Sequence, residues 1–190
     1  ISIMDCSGVS DGSAAAIVVR AEDAHKYTKH PIYIKALSFV AGPGEGPLAQ
    51  DYDFTTFREV AASAKDAYKQ AGITDPRKQI QVVELYDPFS SMQFPQMESL
   101  GFCARGEAAR LSDAGAFDIG GRWAVSPSGG TLCANPIGVS GLVRGIEAAL
   151  QVMGRAGAYQ AKGVHMALAT AIGGSAQFFT CTAFGDDYTR

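Results

Sequence analysis

One segment of the sequence, residues 128–153, combines residue types that could bind a carbonyl oxygen or an anionic group. Two adjacent glycines open its loop, and Pro136 fixes φ just before a run with helical spacing. Gly138 and Gly141 leave the start of that helix without side-chain bulk, so a ligand can approach the backbone. The first N–H groups of a helix lack internal partners and can bind such a ligand. A tight loop entering a core helix is the alternative interpretation of this pattern.

The helix predicted over residues 139–153 is apolar on most of its positions. Only Arg144, Glu147 and Gln151 are expected to face water. A helix with so few polar positions is expected to be largely buried, with cover on all its faces. The apolar residues at helical spacing are Val139, Leu142, Val143, Ile146, Ala149, Leu150 and Met153.

Composition limits the class of protein. With 47% hydrophobic and 18% charged residues in 190, the chain can bury a sizeable core, and part of its surface is expected to be covered by a partner. A net charge of −3 gives no basic footprint for nucleic acid or an anionic membrane, and no apolar run reaches the ~18 residues of a membrane span. Four widely spaced cysteines, without a CxxC motif, predict reduced thiols in a cytoplasmic protein and no metal site.

Strand and helix patterns alternate along the chain, which predicts an α/β layered domain. Residues 41–53 form a Gly/Pro-rich loop that is long enough to contact a partner, and residues 111–128 are also predicted as loop. Strands are predicted over residues 14–20, 31–40, 80–85, 164–171 and 176–184. Helices are predicted over residues 22–28, 55–71, 90–101 with a bend at Pro95, and 139–153.

The start of the chain has neither a helical pattern nor an initiator methionine. Residues 1–13 lead directly into the apolar run at 14–19, as a linker entering a core does. We therefore interpret residues 1–13 as a linker from a preceding N-terminal half, and residues 14–190 as a core domain.

Five motifs in order resemble the C-terminal half of a thiolase-superfamily subunit, in its sterol-carrier-protein-type and archaeal branches. They are SDGSAAAIVV (10–19), VELYDPF (83–89), MESLGFCARGEA (97–108), SGGTLCANPIGVSG (128–141) and AIGGSAQFF (171–179). The resemblance covers essentially the whole chain. It implies a thiolase-like α/β fold, with a mixed five-stranded sheet, helices on both faces, and one central, buried helix.

The side-chain acids and bases of that family are all replaced here. Tyr86 stands at the position of the family's Asn or His, Pro88 at a Cys, Asn135 at the His of its GHP motif, and Ala171 at the Cys of its CxGG motif. The loop between Gly130 and Asn135 is also one residue shorter than the common pattern. The resemblance further implies that the acyl-accepting cysteine belongs to the first half of such a subunit, which this sequence does not contain.

Some of the chemistry survives these replacements. Asn135 can donate a hydrogen bond to an oxyanion but cannot exchange a proton near neutral pH, whereas histidine does both. Tyr86 can donate a hydrogen bond, and it can act as a weak acid where its surroundings favour the ionised form. Backbone N–H groups need no particular side chain, so Gly173 or Gly174 could line an oxyanion hole. As alternatives, Tyr86 could simply end a strand and Asn135 could be a turn residue. The resemblance thus implies a catalytic set of Tyr86, Asn135 and Gly173, and substrate or coenzyme A contacts at Pro136, Gly138 and Gly174.

Three functions are compatible with this set. The main prediction is an acyl-CoA acyltransferase that cleaves or forms a C–C bond of a 3-oxoacyl-CoA, with coenzyme A as substrate and no bound cofactor. The first alternative is a retro-aldolase acting on a steroid side-chain acyl-CoA, with Tyr86 as acid/base. The second is a non-catalytic subunit. The resemblance also implies the N-terminal half of the same subunit, a homodimer core, and a small OB-fold, zinc-binding partner protein.

Overall fold

The computed structural model describes residues 1–188, so Thr189 and Arg190 of the predicted domain lie outside it. Five strands form one mixed sheet in the order β1-β5-β4-β2-β3. β3, β2 and β4 run parallel, whereas β5 is antiparallel to both of its neighbours. The strands are β1 Tyr33–Ala41, β2 Val82–Glu84, β3 Ala124–Val125, β4 Met166–Gly173 and β5 Phe178–Gly185.

Seven α-helices and four short 3₁₀ turns connect these strands within residues 1–188. The predicted helix over residues 90–101 is a 3₁₀ turn, Ser90–Met92, followed by α4, so the break precedes Pro95. Pro95 itself fits in the first turn of α4, where no internal N–H bond is required. The helices are α1 Glu45–Leu48, α2 Arg58–Ala71, α3 Pro76–Gln79, α4 Gln93–Ser99, α5 Ala108–Asp113, α6 Gly130–Cys133 and α7 Ser140–Val152. The other 3₁₀ turns are Ile3–Asp5, Ala21–Lys26 and Gly157–Tyr159.

Helices cover both faces of the sheet, as predicted. α2 packs on β1 and β5, where Val60 and Ala64 join a core that includes Cys181. It ends at Gly72, whose φ of 67° is the left-handed cap that the sequence indicates. α7 packs mainly on β4 and β2, with Ala148 and Val152 against the opposite face. No helix in residues 1–188 combines the length and apolar character needed to cross a membrane.

The strand predicted over residues 14–20 is wrong. That segment forms no ladder with any described residue, and Ile17 is 94% exposed. The sheet nevertheless has five strands, because β3 lies within residues 111–128, which were predicted as a loop. The last turn of α5 also extends into that region. An apolar run becomes a strand only beside an available sheet edge, whereas a two-residue strand leaves no alternating pattern to recognise.

The orientation of α7 also differs from the prediction. Arg144 and Gln151, which were expected to face water, are only 4% and 1% exposed, whereas Leu142 is 44% exposed. The polar side chains point inward because they have partners there: Arg144 pairs with Glu84, and Gln151 bonds to the backbone near Tyr159. Within the described residues, therefore, only one side of the helix is covered. We call its uncovered apolar side, Leu142, Ile146 and Met153, the outer stripe.

Candidate functional site

The segments singled out by the sequence all lie at or after the carboxyl ends of the parallel strands. β3, β2 and β4 are parallel, so their carboxyl ends lie side by side, which is where open α/β sheets bind ligands. Tyr86 follows β2, the loop containing Asn135 follows β3, and Gly173 is the last residue of β4. The first turn of α7 reaches the same edge, since a Cβ placed on Gly141 would lie 2.7 Å from the Ala171 Cβ.

Tyr86 is half-buried just beyond the end of β2. Its backbone N–H donates to the Thr170 hydroxyl at 2.9 Å, and its carbonyl oxygen accepts from the Gln96 amide at 2.9 Å. Its own hydroxyl has no hydrogen-bond partner among residues 1–188. The backbone of Tyr86 is therefore held, while no hydrogen bond within residues 1–188 holds its hydroxyl.

Asp87 joins the end of β2 to the loop after β3. It is fully buried, and its carboxylate accepts hydrogen bonds from the backbone N–H of Thr131 at 2.7 Å, from the Gln93 amide at 2.9 Å and from the Ser126 hydroxyl at 3.2 Å. Burial raises the pKa of Asp87, and the hydrogen bond from Gln93 is the largest opposing effect. A Cβ on Gly130 would lie 2.5 Å from this carboxylate, so the loop requires glycine there. No local sequence pattern indicates this junction.

Asn135 is held from two sides and is only 4% exposed. Its amide oxygen accepts from the Ser140 hydroxyl at 2.7 Å, and its amide nitrogen donates to the Ser7 hydroxyl at 3.2 Å. One amide N–H is thus directed toward Ser7, and the second has no acceptor among residues 1–188.

Residues 1–13, predicted as a linker, contact the site directly. The Ser7 N–H donates to the Pro88 carbonyl at 2.8 Å, and the Ser10 N–H donates to the Asn135 carbonyl at 3.2 Å. Isolated β-bridges join Cys6 to Phe89 and Val9 to Asn135. The segment therefore spans the loops after β2 and β3, a role that nothing in its residues indicates beyond its position in the motif order.

The predicted coenzyme A contacts differ in their accessibility. Pro136 is buried, and Gly12 packs against it. Gly138 is exposed with a φ of 94°, and a Cβ there would meet nothing within 4 Å. Gly174, with a φ of 59°, follows Gly173 in the turn between β4 and β5. Gly138 therefore leaves space for a ligand. At Gly174 a Cβ would already contact Gln177 and Phe178, and Pro136 shapes the loop from within.

A buried charged cluster lies beneath the site. Arg144 of α7 donates to the Glu84 carboxylate at 2.8 Å and to the Ser128 hydroxyl at 2.7 Å. Ser128 also donates to Glu84 from its hydroxyl at 2.7 Å and from its N–H at 3.2 Å. Burial raises the pKa of Glu84 to about 7, although Arg144 opposes this shift. The cluster attaches α7 and the loop after β3 to β2.

The thiols of Cys103 and Cys181 are protonated near neutral pH. Burial raises the pKa of Cys103 to about 11 and that of Cys181 to about 12. Cys133 is exposed two residues before Asn135. No group of three or more His, Cys, Asp or Glu residues within the described part of the chain could hold a metal ion.

Comparison with known proteins places this geometry in a family. The model for the thiolase C-terminal domain-like family matches residues 45–185. An acetyl-CoA acetyltransferase of Methanothermobacter thermautotrophicus is 34% identical over 176 residues, which are 92% of this chain and 45% of that protein. Human sterol carrier protein 2 is 31% identical over 175 residues, 88% of this chain and 31% of the relative.

A solved structure, described as Ltp2-ChsH2(DUF35) aldolase, superposes with a TM-score of 0.86 and 29% identity, covering 99% of this chain and 48% of that one. The chain thus spans less than half the length of these relatives. The family match, the relatives and the superposition agree with the motif order in the sequence. The chain therefore belongs to the thiolase C-terminal domain-like family.

Proposed function

We propose that this chain supplies the acid/base part of a site that cleaves a C–C bond of an acyl-CoA, by retro-aldol cleavage of a 3-hydroxyacyl-CoA. One observation supports this choice over acyl transfer. Of the four positions at which the family has side-chain acids and bases, 86, 88, 135 and 171, only Tyr86 can exchange a proton. Its hydroxyl is also free of hydrogen bonds to residues 1–188.

Retro-aldol cleavage needs little beyond one proton carrier and a site for a developing oxyanion. The 3-hydroxyl loses its proton, the C2–C3 bond breaks, and the electron pair moves into the thioester as an enolate. C2 then receives a proton, which gives a carbonyl compound and a shorter acyl-CoA. Tyr86 enters the reaction as the phenolate, takes the proton from the 3-hydroxyl and gives that proton to C2, so it leaves the reaction as the phenolate again.

Donors at the same sheet edge can stabilise the enolate oxygen. The second amide N–H of Asn135 and the backbone N–H groups at Gly173 and Gly174 are the candidates, as the sequence predicts. The open space at Gly138 would accommodate the coenzyme A thioester chain. No free thiol and no second substrate is required by this reaction.

Acyl transfer is the second candidate, and the 34% identity to an acetyl-CoA acetyltransferase favours it. That reaction requires a cysteine nucleophile from a part of the subunit outside this chain. It also requires acids and bases, yet Pro88 and Ala171 replace the family's two cysteines here. A lost acid or base typically costs roughly 10²- to 10⁴-fold in rate, so thiolysis with this set would be slow.

The proposed assembly has three further parts. We infer that the N-terminal half of a thiolase-like subunit covers the outer stripe of α7, since an exposed apolar face at this position is unfavourable in water. A homodimer core and a small OB-fold partner complete the proposed assembly. The superposed structure, Ltp2-ChsH2(DUF35) aldolase, carries the names of two proteins, which supports a partner subunit for this chain as well. Cytoplasmic location remains part of the proposal.

The two reactions differ in whether they need free coenzyme A. Matched 3-hydroxyacyl-CoA and 3-oxoacyl-CoA thioesters should be incubated with the complete protein, with and without added coenzyme A, and the products separated by liquid chromatography with mass detection. Retro-aldol cleavage predicts a shorter acyl-CoA from the 3-hydroxy compound without added coenzyme A. Release only from the 3-oxo compound, and only with coenzyme A, would establish acyl transfer instead.

A further inference from the structure

Gln96 and Thr170 form a closed ring of hydrogen bonds with the backbone of Tyr86. Thr170 accepts the Tyr86 N–H at 2.9 Å and donates to the Gln96 amide oxygen at 3.1 Å. The Gln96 amide nitrogen donates back to the Tyr86 carbonyl oxygen at 2.9 Å. Gln96 and Thr170 are 0% and 1% exposed, so the ring is closed to water.

The ring lies where the sheet stops. The parallel ladder between β2 and β4 ends with Glu84 opposite Ala169. Two residues later, Tyr86 has left the ladder, and the side chain of Thr170 takes the place of a strand carbonyl. Gln96 reaches the other side of the same residue from α4 and also donates to the Met92 carbonyl at 3.2 Å. Tyr86 is thus fixed both from a strand and from a helix.

We propose that Gln96 and Thr170 are positioning residues that set the direction of the Tyr86 side chain. This inference rests on the proposed function, since it assigns their effect to the proton-transfer step. Both hydrogen-bonding groups flanking the Tyr86 Cα, its N–H and its C=O, are engaged by one rigid pair of side chains. Fixing the N–H and the C=O restricts φ and ψ at Tyr86 and therefore sets the direction of its Cα–Cβ bond.

The polar ring lies in apolar surroundings, where its presence is not explained by packing alone. Residues nearby in the chain, Met97, Leu100 and Leu168, belong to the apolar core, and apolar side chains of similar shape would fill the space of Gln96 and Thr170. A fully satisfied network fixes a unique geometry, which an apolar contact does not. The ring is therefore suited to holding a reactive side chain in one direction.

The test removes one hydroxyl and restores it. In the complete protein, Thr170→Val keeps the shape of the side chain but leaves the Tyr86 N–H without its acceptor, whereas Thr170→Ser retains the hydroxyl. Thr182→Val, the same change at a half-buried position of the neighbouring strand outside the ring, is the control. Gln96→Met provides a second, independent break in case Thr170→Val does not fold.

Two readouts are needed. We expect Thr170→Val and Gln96→Met to lower kcat roughly 10²-fold with KM nearly unchanged, because misplacement by about 1 Å costs a factor of this size. Thr170→Ser should retain most of the rate, and Thr182→Val should retain all of it. In protein labelled with 3-fluorotyrosine, the ¹⁹F resonance that is missing from Tyr86→Phe should shift in Thr170→Val and Gln96→Met but not in Thr182→Val.

The outcomes separate this inference from the proposed function. Full activity in Tyr86→Phe would refute the proposed role of Tyr86. Loss of activity in Tyr86→Phe, together with normal kcat in both Thr170→Val and Gln96→Met, would overturn the positioning role alone. An unshifted ¹⁹F resonance in both variants would also overturn it, since the direction of the ring would then not depend on these bonds.

Discussion

The hydroxyl of Ser140 donates to the amide oxygen of Asn135 at 2.7 Å, which attaches the first turn of α7 to the loop after β3. The same hydroxyl lies 2.9 Å from the Pro136 carbonyl oxygen, and the shorter bond to Asn135 turns the amide oxygen toward α7. The amide nitrogen is thereby directed away from Ser140, toward Ser7 and the sheet edge. Ser140 therefore orients the donor that we propose for the enolate oxygen.

Replacing Ser140 should weaken catalysis less than replacing Asn135 itself. We expect Ser140→Ala to lower kcat by about tenfold and Asn135→Ala by roughly 10²-fold, because the donor is misaligned in the first variant and absent in the second. Ser112→Ala, in α5 and away from the sheet edge, is the control for loss of a helical serine hydroxyl. Steady-state rates that are equal for Ser140→Ala and the wild type would show that Asn135 is oriented by other contacts.

The Asp87 junction depends on the absence of a side chain at Gly130. Gly130→Ala should destabilise the fold by more than Gly154→Ala, because both positions have positive φ but only Gly130 lies against a carboxylate. Strain at positive φ costs about 1–2 kcal/mol at either site, and displacing Asp87 from its three donors should add about 1–3 kcal/mol at Gly130. Urea unfolding of the two variants measures the difference, and equal destabilisation would argue against a tight junction.

The stability contributed by Glu84 should fall as pH rises. Burial raises its pKa from 4.5 to about 7, so the folded protein binds this proton more tightly than the unfolded chain does. The contribution is fully present below about pH 4.5 and is lost as pH rises through about 7. The free energy of unfolding of the wild type relative to Glu84→Gln should therefore decrease over this range, by at most on the order of 3 kcal/mol.

Denaturant titrations at several pH values measure that difference. Asp87 also has a raised pKa, but it is present in both proteins and largely cancels. A difference that stays constant from pH 4.5 to 7, or that increases, would mean that Arg144 keeps Glu84 ionised throughout.

The outer stripe of α7 should behave as core in the complete protein. Leu142 and Ile119 have nearly equal exposure in this chain, 44% and 45%. If another domain covers the stripe, Leu142→Ala should cost about 2–5 kcal/mol, whereas Ile119→Ala should stay within about 0.5 kcal/mol. Thermal unfolding of the complete protein measures the two losses of stability. Equally small losses at both positions would show that the outer stripe is exposed to solvent in the complete protein.

The sequence predicted the elements that have a clear apolar pattern. β1 alternates, α2 has an apolar face and ends at Gly72, and β4 and β5 form a long pair, so each was identified close to its observed bounds. β3 was missed because its two residues acquire strand geometry only through pairing with β2. The run around Ile17 has the composition of a strand but no partner among the described residues.

Long-range polar contacts were beyond the reach of local patterns. Arg144 looks like a solvent-facing residue of α7, and only the fold brings it to Glu84, 60 residues earlier in the chain. The ring formed by Gln96 and Thr170 likewise joins positions 74 residues apart. The motifs located the segments of the candidate site, whereas the side chains that fix their geometry emerged only from the three-dimensional arrangement.

Cleavage of a 3-hydroxyacyl-CoA by the wild type and by Tyr86→Phe, without added coenzyme A, tests the central claim most directly. Tyr86→Phe removes one hydroxyl that has no partner among residues 1–188, so folding stability should change little. We expect kcat for release of the shorter acyl-CoA to fall roughly 10²-fold or more. Equal kcat values for the two proteins, with the same unfolding midpoint, would contradict a catalytic role for Tyr86.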